Sequence, residues 1–324
     1  MRILVVKTSS MGDLVHTLPA VTDAARAYPH LVVDWVCEPA FAEIPHWHPS
    51  VRDVLQIPLR RWKGRLFQLW FSREFTGYKA ALSASPYDAI IDAQGLLKSA
   101  WLLTRFAEGS THGFDRRSAR ESLASFAYQR RHAISPAQHA ISRTRQLFAQ
   151  ALGYRVPDTL PDASIDLRCS TAMADRLVLL PGTSRVNKQW SLDYWADVAV
   201  WASDHYAEVV FAVGTVAEQQ ALSARCPALG PALGFHWMVG ATLTEVATCI
   251  AGARAVIAVD TGLAHVADAL GVPLLVLFGP TDPARVGPVQ SGSHCMVAPD
   301  GRMGSITAAA VIHWLQSQGN VSAD

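Results

Sequence analysis

Short apolar runs alternate with amphipathic stretches along this chain, and the alternation starts afresh near its middle. The opening run Arg2–Val6 reads as a buried strand, and residues 31–36, 51–57 and 87–91 repeat the pattern. After the first strand, Leu14, Leu18, Val21 and Ala25 recur at helical spacing, and Pro19 within that pattern predicts a kink or break. In residues 59–73, Trp62, Leu66, Leu69 and Trp70 share one helical face, with Arg60, Arg61, Lys63 and Arg65 around it. Residues 153–161 carry Gly153, Pro157 and Pro161 and read as a linker between two domains. Beyond it come strands at 176–180, 208–213, 255–259 and 273–278, with Ser191 and Asp260 at the positions of helix N-caps. A helical pattern at 307–315 closes the chain, and no repeat of solenoid period is visible. Strands alternating with helices predict α/β architecture: two successive Rossmann-like domains, either facing a central crevice or as a pair of α/β domains generally, with ligands at the carboxyl ends of parallel strands.

Composition narrows the setting. Half of the 324 residues are hydrophobic, enough for two large cores and too many for a disordered chain. Cys37, Cys169, Cys226, Cys249 and Cys295 are dispersed with no C-x-x-C pair, which predicts free thiols in a reducing compartment. The first apolar run is too short for a signal peptide, and no run reaches the roughly 18–20 residues of a membrane span. The expectation is a soluble, cytoplasmic protein. Charge is uneven: residues 1–150 carry 19 Lys and Arg against 12 Asp and Glu, whereas residues 151–324 carry 9 against 15. A basic first half points to an anion, whether nucleic acid, phospholipid or a phosphorylated substrate, unless the charges are simply solvated surface.

Candidate chemistry gathers at strand ends. Asp260, Thr261 and Gly262 stand where a strand passes into a helix. Free backbone N–H groups and the helix dipole there suit a phosphate or diphosphate, although a plain capped helix accounts for the same residues. The first loop, residues 7–13, holds Gly12 alone of the glycines that a G-x-G-x-x-G fingerprint needs, which excludes that dinucleotide reading. It offers Ser9, Ser10 and the Asp13 carboxylate instead. Gly95 and Lys98 follow another strand, and a basic set runs on through Arg116, Arg117, Arg120, Arg130, Arg131, His139, Arg143 and Arg145. No Asp-x-Asp and no His cluster at ligand spacing predicts a metal site.

Several long motifs then occur in a fixed order: K-T-S-S-M-G-D at 7–13, D-A-Q-G-L-L-K-S-A at 92–100, K-Q-W at 188–190, V-D-T-G-L-A-H at 259–265 and F-G-P-T-D-P at 278–283. In these the chain resembles the bacterial lipopolysaccharide heptosyltransferases nearly end to end, and most of all the type that adds the first heptose. The resemblance implies a glycosyltransferase B fold, with an acceptor domain at 1–160, a donor domain at 161–305 and a C-terminal helix, 306–324, returning to the first domain. It implies an inverting, metal-independent transfer of L-glycero-D-manno-heptose from ADP-heptose to Kdo of Kdo2-lipid A. It further implies that no cofactor and no nucleic acid are involved and that the enzyme would rest on the cytoplasmic face of the inner membrane. Asp13 would be the general base. Ser10, Gly12, Thr183, Ser184, Lys188, Glu218, Ala241, Asp260, Thr261, Gly262 and His265 would meet the donor: Lys188 the diphosphate, Glu218 the ribose, Asp260 a heptose hydroxyl. Ala241 stands where relatives can carry Met. Arg60, Arg61, Lys63, Lys98, Arg120, His139 and Arg143 would meet the anionic acceptor. Still open at this point are transfer to the next core heptose, a sugar-nucleotide epimerase, and a non-catalytic nucleotide-sugar or nucleic-acid binder.

Overall fold

Every strand pairing is parallel, as the runs without polar alternation require. The computed structural model describes residues 1–62, 73–167, 173–227 and 234–321. Among these, contacts divide the chain into two units, Met1–Asp166 and Leu167–Asp324. The first contains β1 (Arg2–Val6), β2 (Val32–Cys37), β3 (Val51–Gln56), β4 (Ala89–Asp92), β5 (Ser110–Phe114) and β6 (Arg130–His132), in the sheet order β3-β2-β1-β4-β5-β6. The second contains β7 (Ala174–Leu180), β8 (Glu208–Val213), β9 (Phe235–Val239), β10 (Ala253–Val259), β11 (Leu274–Phe278) and β12 (Ser293–Val297), in the order β12-β11-β10-β7-β8-β9. Renumbered within its own unit the second order is the same as the first, so each unit is a doubly wound Rossmann-like sheet. In that topology the chain leaves two adjacent central strands toward opposite faces, and a crevice opens beyond their carboxyl ends. Here those strands are β1 beside β4 and β7 beside β10.

The central strands are apolar along their middles, with charged residues only toward their ends, because both of their faces are covered. On β10, Ala255, Ile257 and Val259 join one buried cluster, while Val256 and Ala258 join the cluster on the other side. Four strands were not legible in the sequence: β5, β6, β9 and β12. Three of these, β6, β9 and β12, are sheet edges, where one side lacks a neighbour and a strand such as Arg130–His132 needs no apolar residue at all.

Three expectations are corrected. Residues 153–161 are not a linker between units but are strapped to the first, where Arg145 donates to the carbonyls of Pro157 (3.0 Å) and Thr159 (3.2 Å). The boundary therefore falls at Asp166 and Leu167 rather than at residue 160. The C-terminal helix Ala308–Val321 belongs to the second unit: Ala308, Val311 and Leu315 complete the core built on Trp190, Trp195 and Phe211, and the helix packs on Leu192–Ser203. Asp260 is not the cap of its helix. The helix is Gly262–Ala269 with Thr261 as N-cap, and Asp260 stands one residue earlier. Pro19 behaves as expected. It sits in the first turn of the helix Leu18–Ala27, after a break from the short helix Met11–Val15, where its missing N–H costs nothing.

Candidate active site

The chain leaving β1 and the chain leaving β4 are tied together, and the tie fixes a carboxylate. Lys7, the first residue past β1, is buried and donates through Nζ to the carbonyl of Ala93 past β4, at 3.1 Å. The same Nζ lies 3.3 Å from Asp13 Oδ1. Oδ2 of Asp13 accepts from the Ser10 amide at 3.0 Å and from the Ser10 hydroxyl at 2.9 Å, which closes the first turn of the Met11–Val15 helix. Burial by itself pushes the Asp13 carboxyl up, but the Lys7 charge and the Ser10 hydrogen bonds outweigh it and hold the group below the usual carboxylate range. Asp13 is thus ionised at neutral pH, and its side chain, 34% exposed, remains open to a substrate. Ser10 is exposed beside it and Gly12 is buried in the helix.

Two residues of the D-A-Q-G stretch build this loop. Asp92 is wholly buried and accepts from the amides of Gln94 (2.8 Å) and Gly95 (3.1 Å) and from the Tyr128 hydroxyl (2.8 Å). Burial holds its pKa up, against those hydrogen bonds. Gln94 Oε1, aimed by that turn, accepts from the Thr8 amide at 2.9 Å and the Ser9 amide at 3.3 Å. Tyr128 reaches Asp92 across Gly113, where a Cβ would stand 2.3 Å from the ring. Lys7, Asp92 and Gln94 had no role in the sequence reading. The signal available was their position, each within two residues of a central strand's carboxyl end.

The second unit repeats the arrangement with other residues. Lys188, in the turn that follows β7, is ion-paired with Asp260 past β10, and both side chains are nearly buried, at 13% and 8% exposure. Thr183 and Ser184 lie earlier in the same loop, Ser184 exposed. The Thr261 side chain makes no capping bond, and Gly262 begins the helix that carries His265 on its first turn. Glu218 stands at the exit of β8. Its Oε2 accepts from the amides of Gly214 (2.9 Å) and Thr215 (3.0 Å), and its own amide donates to Thr215 Oγ1 (3.2 Å), a reciprocal cap on the helix Val216–Ser223. Ala241, past β9, packs against the second unit's core. Ser191 takes its expected N-cap position without a side-chain capping bond. Among the described residues no group of three or more His, Cys, Asp or Glu is gathered to hold a metal.

The basic set divides. Arg145 is buried on Asp23, its Nε at 2.6 Å, so that charge is structural. Arg2 and Arg52 converge on buried Asp34. Arg143 is half-buried: it donates to the Ser118 carbonyl at 2.7 Å and covers the Phe114 ring at 4.8 Å, and its buried Nε has no partner among the described residues. His139 caps the helix Ala140–Leu152, its Nδ1 accepting from the Ile141 amide at 3.2 Å, with the His16 ring 5.6 Å away. Lys98 and Arg120 are exposed beside the β4 loop, where the Gly95 Cβ direction points at the Arg120 amide. Arg60 and Arg61 lie on the short helix Leu59–Trp62, Arg61 exposed. Lys63, and with it most of the amphipathic stretch expected at 59–73, lies outside the described residues.

The chain matches the model of glycosyltransferase family 9 (heptosyltransferase) across residues 76–307. It is 46% identical over 290 residues to lipopolysaccharide heptosyltransferase 1 of Pseudomonas aeruginosa, covering 89% of this chain and 81% of that protein. Its structure resembles the Escherichia coli heptosyltransferase WaaC with ADP at a TM-score of 0.91 and 39% identity, over 98% of this chain and 100% of the other. The same enzyme with ADP-2-deoxy-2-fluoro heptose gives a TM-score of 0.88 at 40% identity, over 98% and 99%.

Proposed function

The chain belongs to glycosyltransferase family 9, the heptosyltransferases, and on that premise we propose that it moves heptose from ADP-heptose to Kdo of Kdo2-lipid A, with Asp13 as general base. One observation carries the catalytic part of this reading. Asp13 is held ionised by Lys7 and Ser10 yet stays open to solvent, at the carboxyl end of a central strand. An ionised carboxylate can take the proton of the acceptor hydroxyl as its oxygen bonds to the anomeric carbon. The bond from that carbon to the diphosphate breaks on the opposite face, so a single displacement inverts the configuration. Ser10 and Gly12 share the loop of Asp13, and we assign them to the sugar end of the donor rather than to its nucleotide.

The leaving ADP gains negative charge, which a cation and a helix N-terminus stabilise without a metal. Lys188 is the cation, and Thr183, Ser184, Thr261 and Gly262 supply hydroxyl and backbone donors around it. Asp260 orients Lys188 in the free enzyme and takes a heptose hydroxyl in the complex. His265 lies on the same helix and binds the donor from there. Glu218 has one carboxylate oxygen engaged in its helix cap, and the other serves the ribose. Ala241 gives the nucleotide only a small apolar contact. In the first unit, Arg143 with its unpartnered Nε, together with Lys98, Arg120, His139 and the Arg60–Arg61–Lys63 stretch, meets the carboxylates and phosphates of the acceptor. Such an acceptor is embedded in a bilayer. No described helix is long and apolar enough to cross a membrane, so the proposal is peripheral attachment at the inner membrane's cytoplasmic face. The test is the mass of the product formed from ADP-heptose with Kdo2-lipid A, run beside the same reaction with the mono-heptosylated acceptor. Addition of one heptosyl residue to the first and none to the second is expected. The reverse pattern would assign the enzyme to the next step of the core.

A further inference from the structure

Among the described residues, large apolar side chains that face solvent are mostly solitary, with one exception. Leu97 (39% exposed), Trp101 (48%), Leu123 (56%) and Phe126 (53%) all come from residues 97–126. Trp101 lies on the helical turn Ser99–Leu103, with Leu97 just before it, and Leu123 and Phe126 lie on the turn Ser122–Ala127, which packs against the first. Ala100 and Ala124 are buried between the turns with Tyr128. Glu121 joins them a second time: its Oε2 accepts from the Leu97 amide at 2.6 Å, and its amide donates to the Gly95 carbonyl at 3.0 Å. Leu103 of the first turn enters the unit's core, whereas at the contact between the turns Ala100 and Ala124 are buried and Leu97, Trp101, Leu123 and Phe126 stay outside.

Charge says what such a face meets. Around it Lys98, Arg105, Arg116, Arg117, Arg120, Arg130 and Arg131 are all exposed. The acids of the same stretch are Glu108, Asp115 and Glu121. Asp115 is engaged by the amides of Arg117 (3.1 Å) and Ser118 (2.8 Å), and Glu121 by the Leu97 amide. The Arg131 guanidinium lies 5.7 Å from the centre of the Phe126 ring, so cation and apolar side chain present themselves together. A leucine–aromatic set ringed by arginines fits the boundary between anionic headgroups and acyl chains. We infer that the face made by Leu97, Trp101, Leu123 and Phe126, with Arg130 and Arg131 at its rim, is where this protein rests on a bilayer carrying anionic headgroups. The inference deepens the proposal of a membrane-embedded acceptor and rests on it. The face also continues the β4 loop whose Gln94 holds the Asp13 loop, so docking there would present the base to the headgroup layer.

The test is co-sedimentation of the full chain with two kinds of vesicle, phosphatidylethanolamine mixed with phosphatidylglycerol, and phosphatidylcholine alone. The wild type should partition onto the first. Trp101→Ser with Phe126→Ser should weaken that partition roughly tenfold or more, since each removes an exposed ring and neither fills a core. Arg130→Glu with Arg131→Glu should weaken it at least roughly 25-fold on the anionic vesicles and leave neutral ones unaffected. Both pairs should keep the wild-type rate with a deacylated, water-soluble acceptor and the wild-type melting temperature. Equal binding by wild type and the Ser pair would remove this face from the membrane. Failure of the wild type to bind any vesicle would overturn the inference and leave the face to a protein partner, while transfer to the soluble acceptor would still stand. Vesicle binding through this face with no transfer to any acceptor would instead overturn the proposed reaction alone.

Discussion

The base proposed for this enzyme works only while it is ionised, and Lys7 and Ser10 set the pH at which Asp13 is. Burial alone would raise the Asp13 carboxyl; Lys7 and Ser10 reverse that shift. Activity should therefore persist as pH falls until the depressed Asp13 pKa is reached. Lys7→Met leaves burial in force, raises that pKa and moves the acid limb of the kcat/KM profile to higher pH. Asp13→Ala, by contrast, should lower kcat by about 10²–10⁴ wherever Asp13 is ionised in the wild type, and leave donor affinity within a few fold. An unshifted acid limb in Lys7→Met would make Lys7 merely structural. In the second unit Lys188→Ala should weaken ADP binding by roughly 1.5–3 kcal/mol, the size of a charge-assisted contact. Turnover of the wild type should survive EDTA; loss in EDTA with recovery on adding Mg²⁺ would sink the metal-free proposal. The positions of this proposed site were partly legible in the sequence. Asp13 stands in a loop that a Rossmann-like pattern aims at a ligand, whereas Lys188 was singled out only by the family resemblance. The Lys188–Asp260 pair was hidden, because an acid just before a helix reads as a cap until its long-range partner is seen.

Elements explain which charges belong to the fold. Arg145 on the helix Ala140–Leu152 fastens that helix to Asp23 of Leu18–Ala27 and draws in the Pro157 and Thr159 carbonyls. Arg145→Met leaves Asp23 buried without its cation and should cost roughly 3–5 kcal/mol in thermal or urea unfolding. Arg155→Met, which breaks the exposed pair with Asp158, should leave stability unchanged. Equal effects would mean that burial does not separate structural from surface charge here. Glu218 raises the same question, since it caps its helix and is proposed to bind ribose. Thr215→Ala removes only the cap, at about 1 kcal/mol of stability, and should keep ADP affinity. Glu218→Ala should lose both; retained affinity would confine Glu218 to capping. The sequence could not tell these roles apart, because an apolar run announces a strand buried on two faces, such as β10, whereas Arg145, β6 and β12 carry no periodic signal. Their positions are set by partners distant in sequence, Asp23 for Arg145 and strands β5 and β11 for the two edges.

At the scale of the whole molecule, one topology has been used twice with different chemistry at the same place. Each unit has its own sheet, and each binds the chains leaving its two central strands with a lysine: Lys7 to Ala93 and Asp13 in the first, Lys188 to Asp260 in the second. The first arrangement keeps a carboxylate ionised and accessible. The second holds a nearly buried cation beside the start of a helix. On this division of labour ADP, which lacks the sugar and the acceptor, is recognised by the second unit alone. A ligand that binds only the folded state stabilises it by RT ln(1 + [L]/Kd), about 2.7 kcal/mol at 100 times Kd. That gain should appear in hydrogen exchange as slower amides at 181–190, 214–218 and 260–265, with the loops at 7–13 and 92–98 unchanged. Adding a non-reactive ADP-heptose analogue should then slow 7–13 as well, since Ser10, Gly12 and Asp13 are assigned to the sugar end. Protection of 7–13 by ADP alone, with none at 181–190, would exchange the roles of the two units and with them the assignment of Asp13 as the base.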